Sequence, residues 1–219
     1  MQSIMNILLD LDGTLTDPKV GILTSLQYAL EKLGEDVPAM DELSWCIGPP
    51  LKDAFIKMFG EDQTERVAEG VSYFRERFGD VGLFENEVYP DIPQLLNSLN
   101  ELGHTLHIAT SKPEVFARRI LDYFDLATPF ASIHGSELDG TRSNKGDLIG
   151  HVLQDQSIAS HESVMIGDRK HDILGAISNE VPGIGVLWGY GSRDELEGAG
   201  AAACIQQPND LIQTISEIE

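Results

Sequence analysis

Apolar and polar positions divide this chain into two kinds of stretch. The first is a short apolar run from Ile4 to Leu9 that stops at Asp10-Leu11-Asp12-Gly13-Thr14-Leu15-Thr16-Asp17. A run this short, bounded by a turn signal, predicts a buried parallel strand. After Asp17 the period changes to that of a helix. Ile22, Leu26, Leu30 and Leu33 recur at helical spacing and end at Gly34; Leu51, Phe55, Met58 and Phe59 form a second stripe, and Val67, Val71, Phe74 and Phe78 a third. No strand pattern is evident from Pro18 to about Asn86, so about seventy residues read as a helical insert whose aromatic stripes are its own core.

From Tyr89 strands and helices alternate. Ile92, Leu95, Leu96, Leu99 and Leu102 predict a helix stopped by Gly103, and His104 to Thr110 predicts a strand. Pro113 suits the first turn of the next helix, with Val115, Phe116, Ile120 and Phe124 inward. Ala131 to His134, Ser163 to Ile166, Pro182 to Leu187 and Ala203 to Ile205 are further strands. Helices carrying Leu148, Ile149, Val152 and Leu153, and then Ile173, Leu174 and Ile177, fall between them. Such alternation implies an α/β fold with a parallel sheet and right-handed crossovers. Gly189 to Gly191, Gly198 and Gly200 mark exposed loops.

Composition adds limits. The net charge of −21 argues against binding nucleic acid or an anionic membrane over a broad surface. Cys46 and Cys204 lie far apart, form no metal pattern and fit a reducing cytosol. The N-terminus carries no signal-peptide pattern, and no run reaches the roughly 18 apolar residues of a membrane span. A cytoplasmic protein is expected.

Candidate chemistry gathers at predicted strand ends, where open α/β sheets place their ligands. In an extended chain Asp10 and Asp12 point to one side; two carboxylates that close need a cation, a shared proton or a job, though a polar strand end before a turn has the same look. Thr110-Ser111, ahead of a helix N-terminus, suits either a phosphate or simple capping. Lys145 opens a helix, where the dipole prefers an anion, which hints at an anionic partner; a surface lysine is the plainer alternative. Asp168 and Asp172 share a helical face if the helix has begun by then, and otherwise read as an N-cap and a first-turn acid. His171 reads as helix surface. Lys112, Arg142, Lys145, Arg169 and Lys170, five of only 15 basic residues, lie within three positions of these clusters and would offset repulsion of an anionic substrate locally.

In order and spacing, Asp10-x-Asp12-Gly-Thr-Leu-Thr-Asp17, Thr110, Lys145 and Gly167-Asp168-x-x-x-Asp172 resemble the four motifs of the haloacid dehalogenase-like (HAD) hydrolase superfamily. The helical insert is similar to that superfamily's C1 cap. Ile47-Gly48-Pro49-Pro50-Leu51, Ala109-Thr110-Ser111-Lys112-Pro113 and Trp188-Gly189-Tyr190-Gly191-Ser192 look most like its phosphoglycolate phosphatase-like branch, where some relatives are described as 5′-nucleotidases. The resemblance implies a Rossmann-like α/β core domain, residues 1–16 and 87–219, with a small all-helical cap domain inserted at 17–86.

It also implies roles. Asp10 would be the nucleophile and Asp12 the general acid and base. Mg²⁺ would be held by Asp10, the backbone carbonyl of Asp12, and Asp168. Thr110, the Ser111 N–H and Lys145 would hold the phosphoryl group, and Asp172 would orient Lys145 or a metal-bound water. The expected partner is a small phosphorylated metabolite, and the default state a monomer. A phosphomutase would share every core residue, a dehalogenase would need neither Asp12 nor a metal, and a non-catalytic module would have damaged motifs. Core motifs recognise only the phosphoryl group, so Gly48, Pro49, Lys52 and Arg75 on the insert are expected to help choose the leaving group.

Overall fold

The computed structural model describes residues 4–218. Its contacts divide the chain into two compact units: one runs up to Asp17 and resumes at Val88, and the other is Pro18–Glu87.

The first unit is built on six strands: β1 (Asn6–Leu9), β2 (Thr105–Pro113), β3 (Phe130–Ser136), β4 (Ser163–Gly167), β5 (Gly183–Val186) and β6 (Ala203–Ile205). Their order across the sheet is β3-β2-β1-β4-β5-β6, and every neighbouring pair is parallel. This is the doubly wound Rossmann order, in which the chain reverses direction between β1 and β4 and opens a crevice at their carboxyl ends. The central strand explains its own sequence: covered on both faces, it is apolar at Ile7, Leu8 and Leu9, all essentially inaccessible. Leu8, Ala109 and Met165 from three adjacent strands pack with Leu148, Ile149 and Val152 from one helix and Ala176 from another. Register sets the site, because Leu9 stands level with Ile108 on one side and Ile166 on the other. Asp10 therefore leaves the sheet beside the last residue of β4 and just before Thr110 of β2.

Several expected boundaries and faces move. The strand β2 runs three residues past Thr110, because its ladder to β3 resumes at Pro113, paired with Ser136, after a register shift. Pro113 thus precedes its helix, Glu114–Tyr123, and does not lie in the first turn. That helix buries Ala117, Ile120 and Leu121 and leaves Val115 exposed. The helix Ile92–Glu101 likewise leaves Leu102 outside, with Gly103 beyond it at φ +91°. The helix Lys170–Ile177 buries Ile173, Gly175 and Ala176 and exposes Leu174 and Ile177. In the first and last of these helices small residues, Ala117, Gly175 and Ala176, share the buried face, which a search for large apolar side chains overlooks. Gly191 is buried and Gly189 half-buried, so that stretch is not the exposed loop expected of it.

The second unit holds three helices, α1 (Lys19–Lys32), α2 (Leu51–Phe59) and α3 (Thr64–Arg77). The α1 face buries Leu23, Leu26, Ala29 and Leu30, while Ile22 and Leu33 are only half-buried. Phe55 is fully buried, and a Cβ on Gly70 would lie 2.8 Å from its ring, so α2 and α3 approach closely because residue 70 has no side chain. The Phe74 and Phe78 rings stack with centroids 5.1 Å apart. Both cysteines are free thiols. Among the described residues, no helix is long and apolar enough to cross a membrane.

Candidate active site

Asp10 follows β1 without a break, and its N–H still donates to the Ile166 carbonyl (2.9 Å). The chain then turns sharply: the N–H groups of Thr14, Leu15 and Thr16 converge on the Leu11 carbonyl at 3.2, 2.9 and 3.1 Å. Gly13 makes the turn possible at φ +82°, and a Cβ there would also lie 2.2 Å from Asp168 Oδ2. Leu11, between the two carboxylates, is wholly buried.

Four of the expected residues meet here. Lys145 is the first residue of the helix Lys145–Gln156, whose N-cap, Asn144, accepts hydrogen bonds from the N–H groups of Gly146 and Asp147. The Lys145 side chain is directed into the sheet edge. Its Nζ lies 3.0 Å from Asp10 Oδ1 and 2.7 Å from Asp172 Oδ1, and donates to the Ala109 carbonyl at 3.0 Å. The ammonium thus has one hydrogen-bond acceptor and two carboxylates in ion-pair contact, which accounts for a lysine at the dipole's positive end. Its path runs over Gly175, where a Cβ would lie 2.9 Å from Lys145 Cγ. Asp172 sits in the first turn of its helix, and its Oδ2 accepts the Arg169 N–H (3.0 Å). Asp168 lies before that helix begins, so the pair reaches the site by two routes and not as one helical face. Asp168 Oδ2 accepts the Tyr190 N–H at 2.7 Å.

Charge in this cluster is under tension. Asp10, Asp168 and Asp172 are all buried and offer oxygens within 4.8 Å of one another. Burial, with Asp172 and Asp10 alongside, holds the Asp168 carboxyl well above the usual range. Burial pushes Asp172 up to about 6, against the pull of Lys145. Asp12 is raised by burial despite Lys112, whose Nζ is 2.8 Å from Asp12 Oδ2. Burial alone would lower Lys145, but Asp10 and Asp172 together raise it above the usual lysine range. With all four carboxyls ionised, two ammonium groups leave two negative charges, which a divalent cation would balance. Asp168 Oδ1 is buried with no hydrogen-bond partner among the described residues, and the donor set is all oxygen. The residues therefore fit a hard divalent cation such as Mg²⁺ and lack the imidazole and thiolate that zinc favours.

The other expected residues are placed less uniformly. Thr110 is buried on β2, three residues before its end, and its Oγ1 accepts the Lys112 N–H at 3.3 Å. Ser111 is half-buried, with its carbonyl accepting from Ser136 Oγ. Of the five basic residues near the clusters, only Lys112 and Lys145 join the carboxylates. Arg142 pairs with Glu137, Arg169 pairs with Glu195 while still pulling the Asp168 carboxyl downward, and Lys170 is exposed. His171 is half-buried, not surface, and its pKa is lowered by that burial. Within the helical unit, Gly48 turns the chain at φ +102° ahead of Pro49 and Pro50. Lys52 is exposed in the first turn of α2, and Arg75 is half-buried on α3.

Two groups at the site go beyond the expectations, in which Lys112 is only one of five cations near an anionic substrate. Lys112 is one; an extended chain running through residue 112 would have placed it on the Thr110 face. The other is the loop after β5. Trp188 Nε1 donates to the Thr14 carbonyl at 3.0 Å, and the Tyr190 hydroxyl is bonded to Asp17. Cβ atoms on Gly189 and Gly191 would collide with Asp168 at 2.4 and 1.9 Å. This loop fastens the turn after β1 to Asp168.

Comparison with known proteins points to one family. A family model described as haloacid dehalogenase-like hydrolase matches residues 7–186. A 5′-nucleotidase of Pseudomonas aeruginosa is 52% identical over 191 residues, covering 87% of this chain and 86% of that protein. The tyrosine-protein kinase PtkA of Mycobacterium tuberculosis is 36% identical over 192 residues, 87% of this chain but 65% of that protein. The crystal structure of a predicted phosphatase from Clostridium acetobutylicum superposes with a TM-score of 0.94 at 42% identity, covering 98% of this chain and 100% of that one.

Proposed function

This chain belongs to the haloacid dehalogenase-like hydrolase family, and from that premise we propose that it is a Mg²⁺-dependent phosphatase of small phosphomonoesters working through an aspartyl-phosphate. The observation that carries the reading is the buried cluster in which Lys145 grips Asp10 within cation-binding reach of Asp168.

Asp10 attacks phosphorus; the new Asp10 O–P bond forms as the ester P–O bond breaks. Asp12 gives its proton to the departing oxygen, then takes one from the water that hydrolyses the aspartyl-phosphate. Its carboxyl, raised by burial, suits a group that must be an acid in one half of the cycle and a base in the other. Thr110, the Ser111 N–H and Lys145 hold the phosphoryl oxygens. Asp172, at 2.7 Å from the Lys145 Nζ, keeps that ammonium in place. Mg²⁺, held by Asp10, the Asp12 carbonyl and Asp168, would draw charge from the phosphoryl oxygens. The helical unit, as a cap, would exclude water between the two steps and bear the residues that select the leaving group.

The 52% identity to a 5′-nucleotidase favours a nucleoside 5′-monophosphate among the candidate substrates. The likeness to a protein named a tyrosine kinase supports a second reading, in which a hydroxyl replaces water as acceptor, as it would in a phosphomutase. Both use the same core residues. Release of inorganic phosphate from a panel of nucleotides, phosphoglycolate and sugar phosphates tests the proposal. We expect release with Mg²⁺, none in chelator, and little with Ca²⁺, whose looser shell misplaces Asp10. Phosphoryl transfer to an added sugar or peptide hydroxyl without phosphate release would favour the second reading. Equal activity in chelator, or a Zn²⁺ requirement, would defeat the metal assignment.

A further inference from the structure

We propose that Lys112 is a positioning residue for proton transfer, its ammonium holding one oxygen of the Asp12 carboxyl so that the other is kept for the leaving group; this rests on the phosphatase reading above. The pair is close and dry: Nζ to Oδ2 is 2.8 Å, with side chains 5% and 13% exposed. Asp12 Oδ1 is also buried and has no hydrogen-bond partner among the described residues. One oxygen is thus gripped and the other left for the reacting group.

The backbone is shaped for this grip. Extended residues alternate, so Thr110 and Lys112 face the same side only if the strand runs on past the threonine. It does, through a register shift between Thr110 and Pro113 in the ladder to β3. Shifts of this kind beside active sites re-aim a side chain. The neighbouring strand makes room with Gly135, where a Cβ would lie 2.5 Å from the Lys112 carbonyl and 2.6 Å from the Glu114 nitrogen. A lysine that only bridged strands would cost less at the surface, and an apolar side chain would cost less in the interior. The two buried lysines therefore divide the work: Lys145 holds the nucleophile and Lys112 holds the acid–base group.

The step affected is the one in which a proton leaves Asp12 Oδ1 for the ester oxygen while the P–O bond breaks and its electron pair goes to that oxygen. p-Nitrophenolate departs without that proton; the alkoxide of a nucleoside 5′-monophosphate does not. First-turnover rates are measured for both substrates in the native chain, Lys112→Met, Asp12→Asn and the double variant. Lys112→Met is expected to slow the nucleotide at least about tenfold more than p-nitrophenyl phosphate, the lower range of a lost general acid. In the Asp12→Asn background the same change is expected to do nothing further to either substrate.

An equal loss on both substrates would assign Lys112 to phosphoryl binding or folding and overturn the proposal. No loss, or a further loss on top of Asp12→Asn, would also overturn it. If Lys112→Met leaves a buried carboxylate unpaired and fails to fold, the double variant still decides, since both charges are gone. A native chain that hydrolyses neither substrate would defeat the phosphatase reading itself, a result separable from any of these.

Discussion

The two units of this protein treat charge in opposite ways. At the carboxyl edge of the sheet, four aspartates and two lysines are packed into the interior, their neighbours shaved to glycine at 13, 167, 175, 189 and 191 so that they fit. In the helical unit Lys19 pairs with Asp41 and Arg66 with Glu35 at the surface, Arg77 forks onto Glu85 partly buried, and the interior is Phe55, Phe74, Phe78 and leucine. Exposed pairs of that kind contribute about 0–1 kcal/mol, and the helical unit depends on burial for its stability. The buried cluster has the reverse balance. Its Asp168 and Asp172 are pushed toward neutrality by the fold, a cost that stability alone would not select. One unit concentrates charge in its interior and the other keeps its interior apolar.

That contrast can be broken experimentally. The largest effect is expected from Asp10→Asn, which keeps the volume and removes the attacking charge. Turnover should fall below detection while the melting temperature changes little, checked by phosphate release and thermal unfolding of the same preparation. Retention of more than about a few per cent activity would remove Asp10 from the nucleophile's role. Phe55→Ala should do the converse: a loss of about 3–5 kcal/mol in unfolding free energy, with first-turnover release from an aryl phosphate close to native in the cold, where the variant stays folded. A collapse of that rate in the folded variant would show that the helical unit's core takes part in the chemistry. The smallest effect sharpens the comparison. Lys52→Ala and Arg75→Ala should lower kcat/KM for the best substrate several-fold and leave the aryl phosphate almost unchanged. An equal loss on both would move either residue from selection to support.

How much of this was legible in the sequence follows from the same contrast. The parallel sheet and the residues at its edge could be read because the signals there are local: an apolar run stops at Asp10, and another stops at Asp168. Lys145 could be suspected because a cation at a helix N-terminus conflicts with the dipole. Lys112 was obscured because a strand seemed to end at Thr110; a ladder that shifts and resumes depends on the neighbouring strand and leaves no mark in its own residues. The glycines near Trp188 read as loop because their spacing signals only flexibility, whereas Gly191 is small for the Asp168 carbonyl that passes it. Val115 and Leu174 are exposed although large and apolar, because which helix face meets the sheet depends on packing that the sequence pattern does not carry. Asp172 was assigned a supporting role, and the fold sets its carboxylate close enough to Asp10 and Asp168 to share a cation with them.

The central claim is that Asp10 carries the phosphoryl group between the two halves of the reaction. Acid quenching during turnover of a nucleoside 5′-monophosphate in Mg²⁺, followed by mass analysis of the peptide holding Asp10, tests it most directly. One phosphoryl group is expected on that peptide, on Asp10 itself, removed by mild base and missing from Asp10→Asn. Turnover at full rate with that peptide unmodified, or the phosphoryl group on another residue, would contradict it.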